Sequence, residues 1–211
     1  GDIKYIIMEM VNGDDLSSYL ADLGKFTEKD VVLLAKQIAK GMAEVHQQKI
    51  FHLDLKPANI LVTDTGKVKI MDFGISETLK SSTQSRIQTT SKSGTIAYMS
   101  PEQMMGVNVG KEADIWSFGI MLYQLLTGEL LYSATTLRDL DFLIEKKPFT
   151  ELQNVSKGMN TILKGCLVSD YKRRIHSFDA ILDLFNQLEH ADNNSNNEAS
   201  KRTKSNSDRQ R

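Results

Sequence analysis

His52-Leu53-Asp54-Leu55-Lys56-Pro57-Ala58-Asn59 and, further on, Asp72-Phe73-Gly74 decide the reading of this chain. In one tight loop, a carboxylate, an ammonium and an amide at positions 54, 56 and 59 can converge on a single pocket. A second carboxylate arrives at Asp72 from a neighbouring strand end. One carboxylate can orient a hydroxyl and accept its proton. The other, with the amide, offers the hard oxygen donors that Mg²⁺ takes alongside phosphate oxygens. Lys56 can neutralise charge on a migrating phosphoryl group. Taken singly, each residue has a blander reading as a turn or cap. At roughly one in twenty per fixed position, HxDxKxxN arises about once in 10⁵ starting points, and Asp-Phe-Gly must also follow. Coincidence is not an adequate account of both.

Working outward, Ile60-Leu61-Val62 and Val68-Lys69-Ile70 flank Thr63-Asp64-Thr65-Gly66-Lys67 and predict a hairpin that carries the loop. Residues 3–11 predict a strand that runs into Asn12-Gly13, and Asp14 to Leu23 a short helix stopped by Gly24. Thr27 is an N-cap candidate with Asp30 three residues on. Val31, Leu34, Ala35, Ile38, Met42 and Val45 then follow at helical spacing to about Gln48. An apolar helix is expected from Glu112 to Thr127, closed by Gly128, with further helices near 136–146, 156–168 and 177–190. Ser177 is the N-cap candidate of the last, over a stripe of Phe178, Ile181, Phe185 and Leu188. Residues 76–94, rich in Ser and Thr, read as a mobile loop. Residues 191–211 read as a disordered polar tail, too poor in apolar side chains to fold.

The 211 residues are 40% hydrophobic and 25% charged with net charge −1, which is a globular composition without a reason to bind nucleic acid. A single cysteine, Cys166, excludes an internal disulfide and fits a reducing, cytoplasmic compartment. No apolar run reaches the ~20 residues of a membrane span, and no signal peptide is visible. The four histidines show no zinc-site spacing. No two of the thirteen glycines lie two apart, and none fits the GxxxxGK phosphate loop.

The chain resembles the eukaryotic protein kinase family, Ser/Thr type. Gly94-Thr95-Ile96-Ala97-Tyr98-Met99-Ser100-Pro101-Glu102 looks like the segment ending in Ala-Pro-Glu. Asp114-Ile115-Trp116-Ser117-Phe118-Gly119 looks like the start of the central carboxy-lobe helix. Asp170 through Arg174 looks like the late motif whose Arg pairs with that glutamate, here Arg174 with Glu102. Met8-Glu9-Met10-Val11 sits where kinases place gatekeeper and hinge. The resemblance implies an α+β protein kinase-like fold: residues 1–190 as the last amino-lobe strand, hinge and a mainly α-helical carboxy lobe, with a short β-hairpin carrying the catalytic loop. It implies ATP and Mg²⁺ as cofactors and a protein Ser/Thr as substrate. By resemblance Asp54 is the catalytic base, Lys56 the γ-phosphate contact, and Asn59 and Asp72 the Mg²⁺ ligands. Backbone groups of Glu9 and Val11 would hold adenine, with Leu61 under the ring and Asp15 near the ribose. His52 and Phe73 would be spine residues of the core, and Cys166, Trp116 and the methionines packing residues.

The sequence departs from the family pattern in several places. Leu53 stands where an Arg commonly precedes the catalytic Asp, and Glu77 replaces a second basic partner of a loop phosphate. Obligatory switching by phosphorylation is therefore not expected, although Ser91 lies where that phosphate often sits. Ala58 removes an acid that some kinases use to read a basic substrate residue. Within these residues there is no glycine-rich loop, no strand lysine on the α/β-phosphates and no helix glutamate to pair with it. The expectation is a fragment of a gene product that is inactive by itself. The alternative is a pseudokinase or scaffold that binds partners without phosphoryl transfer.

Overall fold

The residues described by the computed structural model, 9–73, 96–107 and 109–190, divide into a small sheet and a larger helical body. The sheet has three antiparallel strands in the order β1 (Gly13–Asp15), β2 (Ile60–Thr63) and β3 (Val68–Ile70). The predicted hairpin is present, with Thr63 N–H donating to Lys67 O and Gly66 N–H to Thr63 O, both at 2.8 Å. Gln37 docks it on the helical body: its Oε1 accepts from Val68 N–H, and its Nε2 donates to Gly66 O, both at 3.1 Å.

The start of the chain differs from the expectation. Glu9–Val11 form no strand, and residues 3–8 lie outside the described residues. The strand is instead Gly13–Asp15, which pairs Asp14 with Val62 and Asp15 with Leu61. Gly13 permits this, since a Cβ there would stand 2.1 Å from Val62 O and its φ is +148°. The helix α1 begins two residues later than expected (Leu16–Leu23), because Asp15 is its N-cap. Asp15 Oδ1 accepts from Ser17 N–H at 2.9 Å and Ser18 N–H at 3.1 Å.

Helix α2 (Glu28–Gln47) starts on Thr27, whose Oγ1 accepts from Asp30 N–H at 3.2 Å, and buries Val31, Ala35, Ile38 and Met42. After a one-turn 3₁₀ segment at Pro57–Asn59 and the hairpin come α3 (Pro101–Met105), α4 (Lys111–Thr127), α5 (Leu137–Lys146), α6 (Lys157–Cys166) and α7 (residues 178–190). Ser177 caps α7, with Ala180 N–H on its Oγ at 3.1 Å. Helix α4 is the axis of the body, packed on α2 and α6 and buried over every residue from Ala113 to Leu122. Gly119 lets α6 close on it: a Cβ there would lie 2.7 Å from Cys166 Cβ. Burial pushes the Cys166 thiol up to about 12, against the opposing pull of the Arg174 charge, so it packs as a hydrophobe. Trp116 is fully buried as expected. Of the methionines, Met42, Met121 and Met159 are core, whereas Met10 and Met105 are exposed, a correction to the packing role expected of all of them. Residues 74–95, including Gly74, Glu77 and Ser91, and the tail 191–211 lie outside the described residues.

Candidate active site

The loop between α2 and β2 is held by its backbone. Asp114, in the first turn of α4 and wholly buried, accepts His52 N–H at 2.9 Å on Oδ2 and Leu53 N–H at 2.6 Å on Oδ1. His46 Nε2 also lies 2.8 Å from Asp114 Oδ2. The His52 ring spans the loop: Nδ1 accepts Asp54 N–H at 3.2 Å, so Nε2 carries the proton donated to Met71 O at 2.7 Å. Its ring centroid is 4.8 Å from that of Phe73. His52 is therefore core, as expected, and also a strut between the two motifs.

Around Asp54 the predicted groups meet. Lys56 Nζ donates to Asp54 Oδ2 at 2.7 Å. Asn59 Nδ2 donates to Asp54 O at 2.7 Å and to Oδ2 at 3.1 Å. The short 3₁₀ turn makes this possible, closing with Asn59 N–H on Lys56 O at 3.0 Å. Asp72 is brought to the same end by Met71 N–H, which donates to Asn59 O at 2.8 Å and extends the hairpin ladder by one step. Both Leu53 (φ 64°) and Asp72 (φ 59°) occupy the left-handed region. For Leu53, a bulky residue, that conformation costs about 1–2 kcal/mol and must be held by its surroundings.

The donor set suits Mg²⁺. Asn59 spends its Nδ2 on Asp54, which leaves its amide oxygen, and Asp72 contributes an exposed carboxylate. Among the described residues no cluster of three or more His, Cys, Asp or Glu could hold a metal ion. Two oxygen ligands plus phosphates and waters are what Mg²⁺ takes in nucleotide sites.

The remaining site candidates line the strand side. Leu61, half-buried, is the cross-strand partner of Asp15, so the two side chains leave the sheet on one face. Burial tends to raise the Asp15 carboxyl, but hydrogen bonds from Ser17 and Ser18 outweigh it and hold it below its ordinary value. Glu9 and Val11 run beside the hairpin, where Lys69 Nζ meets Glu9 Oε2 at 3.0 Å. Arg174 and Glu102 form the expected pair, at 2.6 Å (Nη1–Oε1) and 3.0 Å (Nη2–Oε2), both side chains fully buried.

The sequence leaves two positions without an assigned role. Asp114 marks only the start of a helix there. Its signal is an acid facing an otherwise apolar helix, which needs partners if buried. Gln103 carried no signal beyond its place after Pro101-Glu102.

The fold and the site define a class. A family model for the protein kinase domain matches residues 2–185, and the chain belongs to that family. Among curated proteins it is 36% identical, over 87% of its length, to a probable serine/threonine-protein kinase of Clostridium acetobutylicum, of which it covers 28%. It is 41% identical over 63% of its length to the serine/threonine-protein kinase PrkC of Bacillus subtilis, covering 20% of that protein. To the serine/threonine-protein kinase PknB of Mycobacterium tuberculosis it is 40% identical over 61%, covering 21%. The chain thus spans between a fifth and somewhat over a quarter of the length of these relatives. No helix among the described residues is long and apolar enough to cross a membrane.

Proposed function

We propose that the full-length protein, carrying the amino lobe this reading requires, transfers the ATP γ-phosphate to Ser or Thr of a protein. The observation that supports it best is the convergence of Lys56 Nζ and Asn59 Nδ2 on one oxygen of Asp54, at 2.7 and 3.1 Å. Asp54 orients the incoming hydroxyl and takes its proton. Lys56, whose Nζ lies beside Asp54 Oδ2, offsets charge on the transferred group. Asn59 and Asp72 hold Mg²⁺, which when bound neutralises phosphate charge. Glu9 and Val11 present backbone groups to adenine, Leu61 floors the ring, and Asp15 lies near the ribose while capping α1.

These 211 residues by themselves are proposed to be catalytically silent. Phosphoryl transfer rests on positioning and charge stabilisation. Losing one preorganised group costs about 10²–10³ in rate, and here a loop, a lysine and its glutamate partner are missing together from the sequence. The decisive test is Asp54→Asn in the full-length protein, scored by phosphate transfer to a mixed Ser/Thr peptide library. Turnover should fall by about 10²–10⁴ while nucleotide affinity stays within twofold. Equal turnover in the variant and wild type overturns the assignment of the base.

A further inference from the structure

The peptide unit joining Leu53 to Asp54 is gripped at both ends. Its N–H, belonging to Asp54, donates to His52 Nδ1, and its carbonyl, belonging to Leu53, accepts from Gln103 Nε2 at 3.0 Å. This is the peptide unit that sets the direction in which the Asp54 side chain leaves the loop. Leu53 precedes it at φ 64°, a conformation that relaxes toward ordinary values unless it is held. Asp114 holds the Leu53 N–H. On the carbonyl side the donor is the amide of Gln103.

Gln103 is itself fixed. It is the third residue of α3, and its Oε1 accepts Ser100 N–H at 3.0 Å while Ser100 Oγ accepts Gln103 N–H at 3.3 Å, a reciprocal capping box. That arrangement uses only the amide oxygen, and a Glu would serve it equally well. The amide nitrogen is the part a Glu lacks, and it is the part that reaches Leu53 O. The orientation has no alternative: turning the amide over would set its NH₂ against the Ser100 N–H and its oxygen against the Leu53 carbonyl. Helix α3 is anchored one residue earlier, where Glu102 is clamped by buried Arg174. Among the described residues, a hydrogen bond from this amide joins the loop that carries Asp54 to the Ser100–Met105 segment.

We infer that Gln103 is a positioning residue for Asp54, locking the Leu53–Asp54 peptide so that the carboxylate faces the reacting hydroxyl. The inference rests on Asp54 as the base.

The test separates the two halves of the Gln103 side chain in the full-length protein. Gln103→Glu keeps the capping oxygen and removes the donor; Gln103→Lys keeps a donor and removes the capping oxygen. Positioning through the donor requires kcat of Gln103→Glu to fall about 10- to 100-fold, the scale of an ångström misplacement. KM for ATP should stay within twofold and the melting temperature near wild type. Gln103→Lys should keep kcat within about threefold of wild type, whatever it loses in stability. A Gln103→Glu enzyme with kcat within threefold of wild type overturns the inference, as does a Gln103→Lys enzyme that loses as much kcat as Gln103→Glu. If Gln103→Glu does not fold, Gln103→Met removes the donor without adding charge and is judged by the same limits. Asp54→Asn is measured alongside. Should it retain turnover, the reading of the base fails. Should it abolish turnover while Gln103→Glu does nothing, only the positioning role fails.

Discussion

Asp54 and Glu102 each meet a cation at hydrogen-bonding distance, Lys56 Nζ at 2.7 Å and Arg174 Nη1 at 2.6 Å. Their surroundings are opposite. The Arg174 guanidinium is sealed: beyond Glu102 it donates to Val168 O at 2.9 Å and Glu112 O at 2.6 Å, and it lies 5.1 Å from the Trp116 ring centroid. Its side chain and that of Glu102 are 0% and 1% exposed. The Asp54–Lys56 contact keeps 13% and 19% of its side-chain surface open. A sealed pair has no capacity left for a ligand, so its use is structural: it ties α3 to the segment before α7. The open pair keeps faces that a substrate can meet. Chemically similar contacts thus differ sharply in burial.

Substitutions that break one partner, made in the full-length protein, test that contrast. Arg174→Met leaves Glu102 buried and unpaired. It should destabilise the protein by about 3–5 kcal/mol, read as a lowered urea midpoint; a loss under 1 kcal/mol would show that the pair is not sealed in solution. Asp114→Asn stands between the two regions, since Asp114 is buried yet holds the His52 and Leu53 amides of the loop that carries Asp54. It exchanges a charged acceptor of two backbone amides for a neutral one, costing about 1.5–3 kcal/mol, and should lower kcat by displacing the loop. Stability loss with unchanged kcat would separate Asp114 from the site. Lys56→Met should destabilise less than Arg174→Met, because Asp54 keeps its Asn59 hydrogen bond and some solvent access, while kcat falls about 10²–10³. A large unfolding penalty there would mean that the open pair is structural after all.

Local signals were legible where one segment contains its own partners. Thr27 and Ser177 cap their helices as their positions predict, and the Thr63–Lys67 turn closes as its Gly66 requires. The Asp54, Lys56 and Asn59 contacts fall in a window short enough to be read directly. Strand β1 was not legible, because its pairing with Val62 and Leu61 depends on residues far along the chain and its two aspartates resemble a helix start. The part of Asp114 was hidden for another reason: two of its partners are backbone N–H groups, and a sequence does not mark which amides lack an acceptor. Gln103 combines both obstacles, a distant contact made to a carbonyl.

The fit of Gly119 against Cys166 also bears on motion. Helix α4 is walled by α2 on one side and α6 on another, with no side chain at Gly119 to hold the helices apart. It has no solvent-facing stripe along which to fray over Ala113–Leu122. The backbone amides of that stretch can meet bulk water only when the whole helical body opens. They should therefore be the last to exchange with deuterium, at rates that track global unfolding.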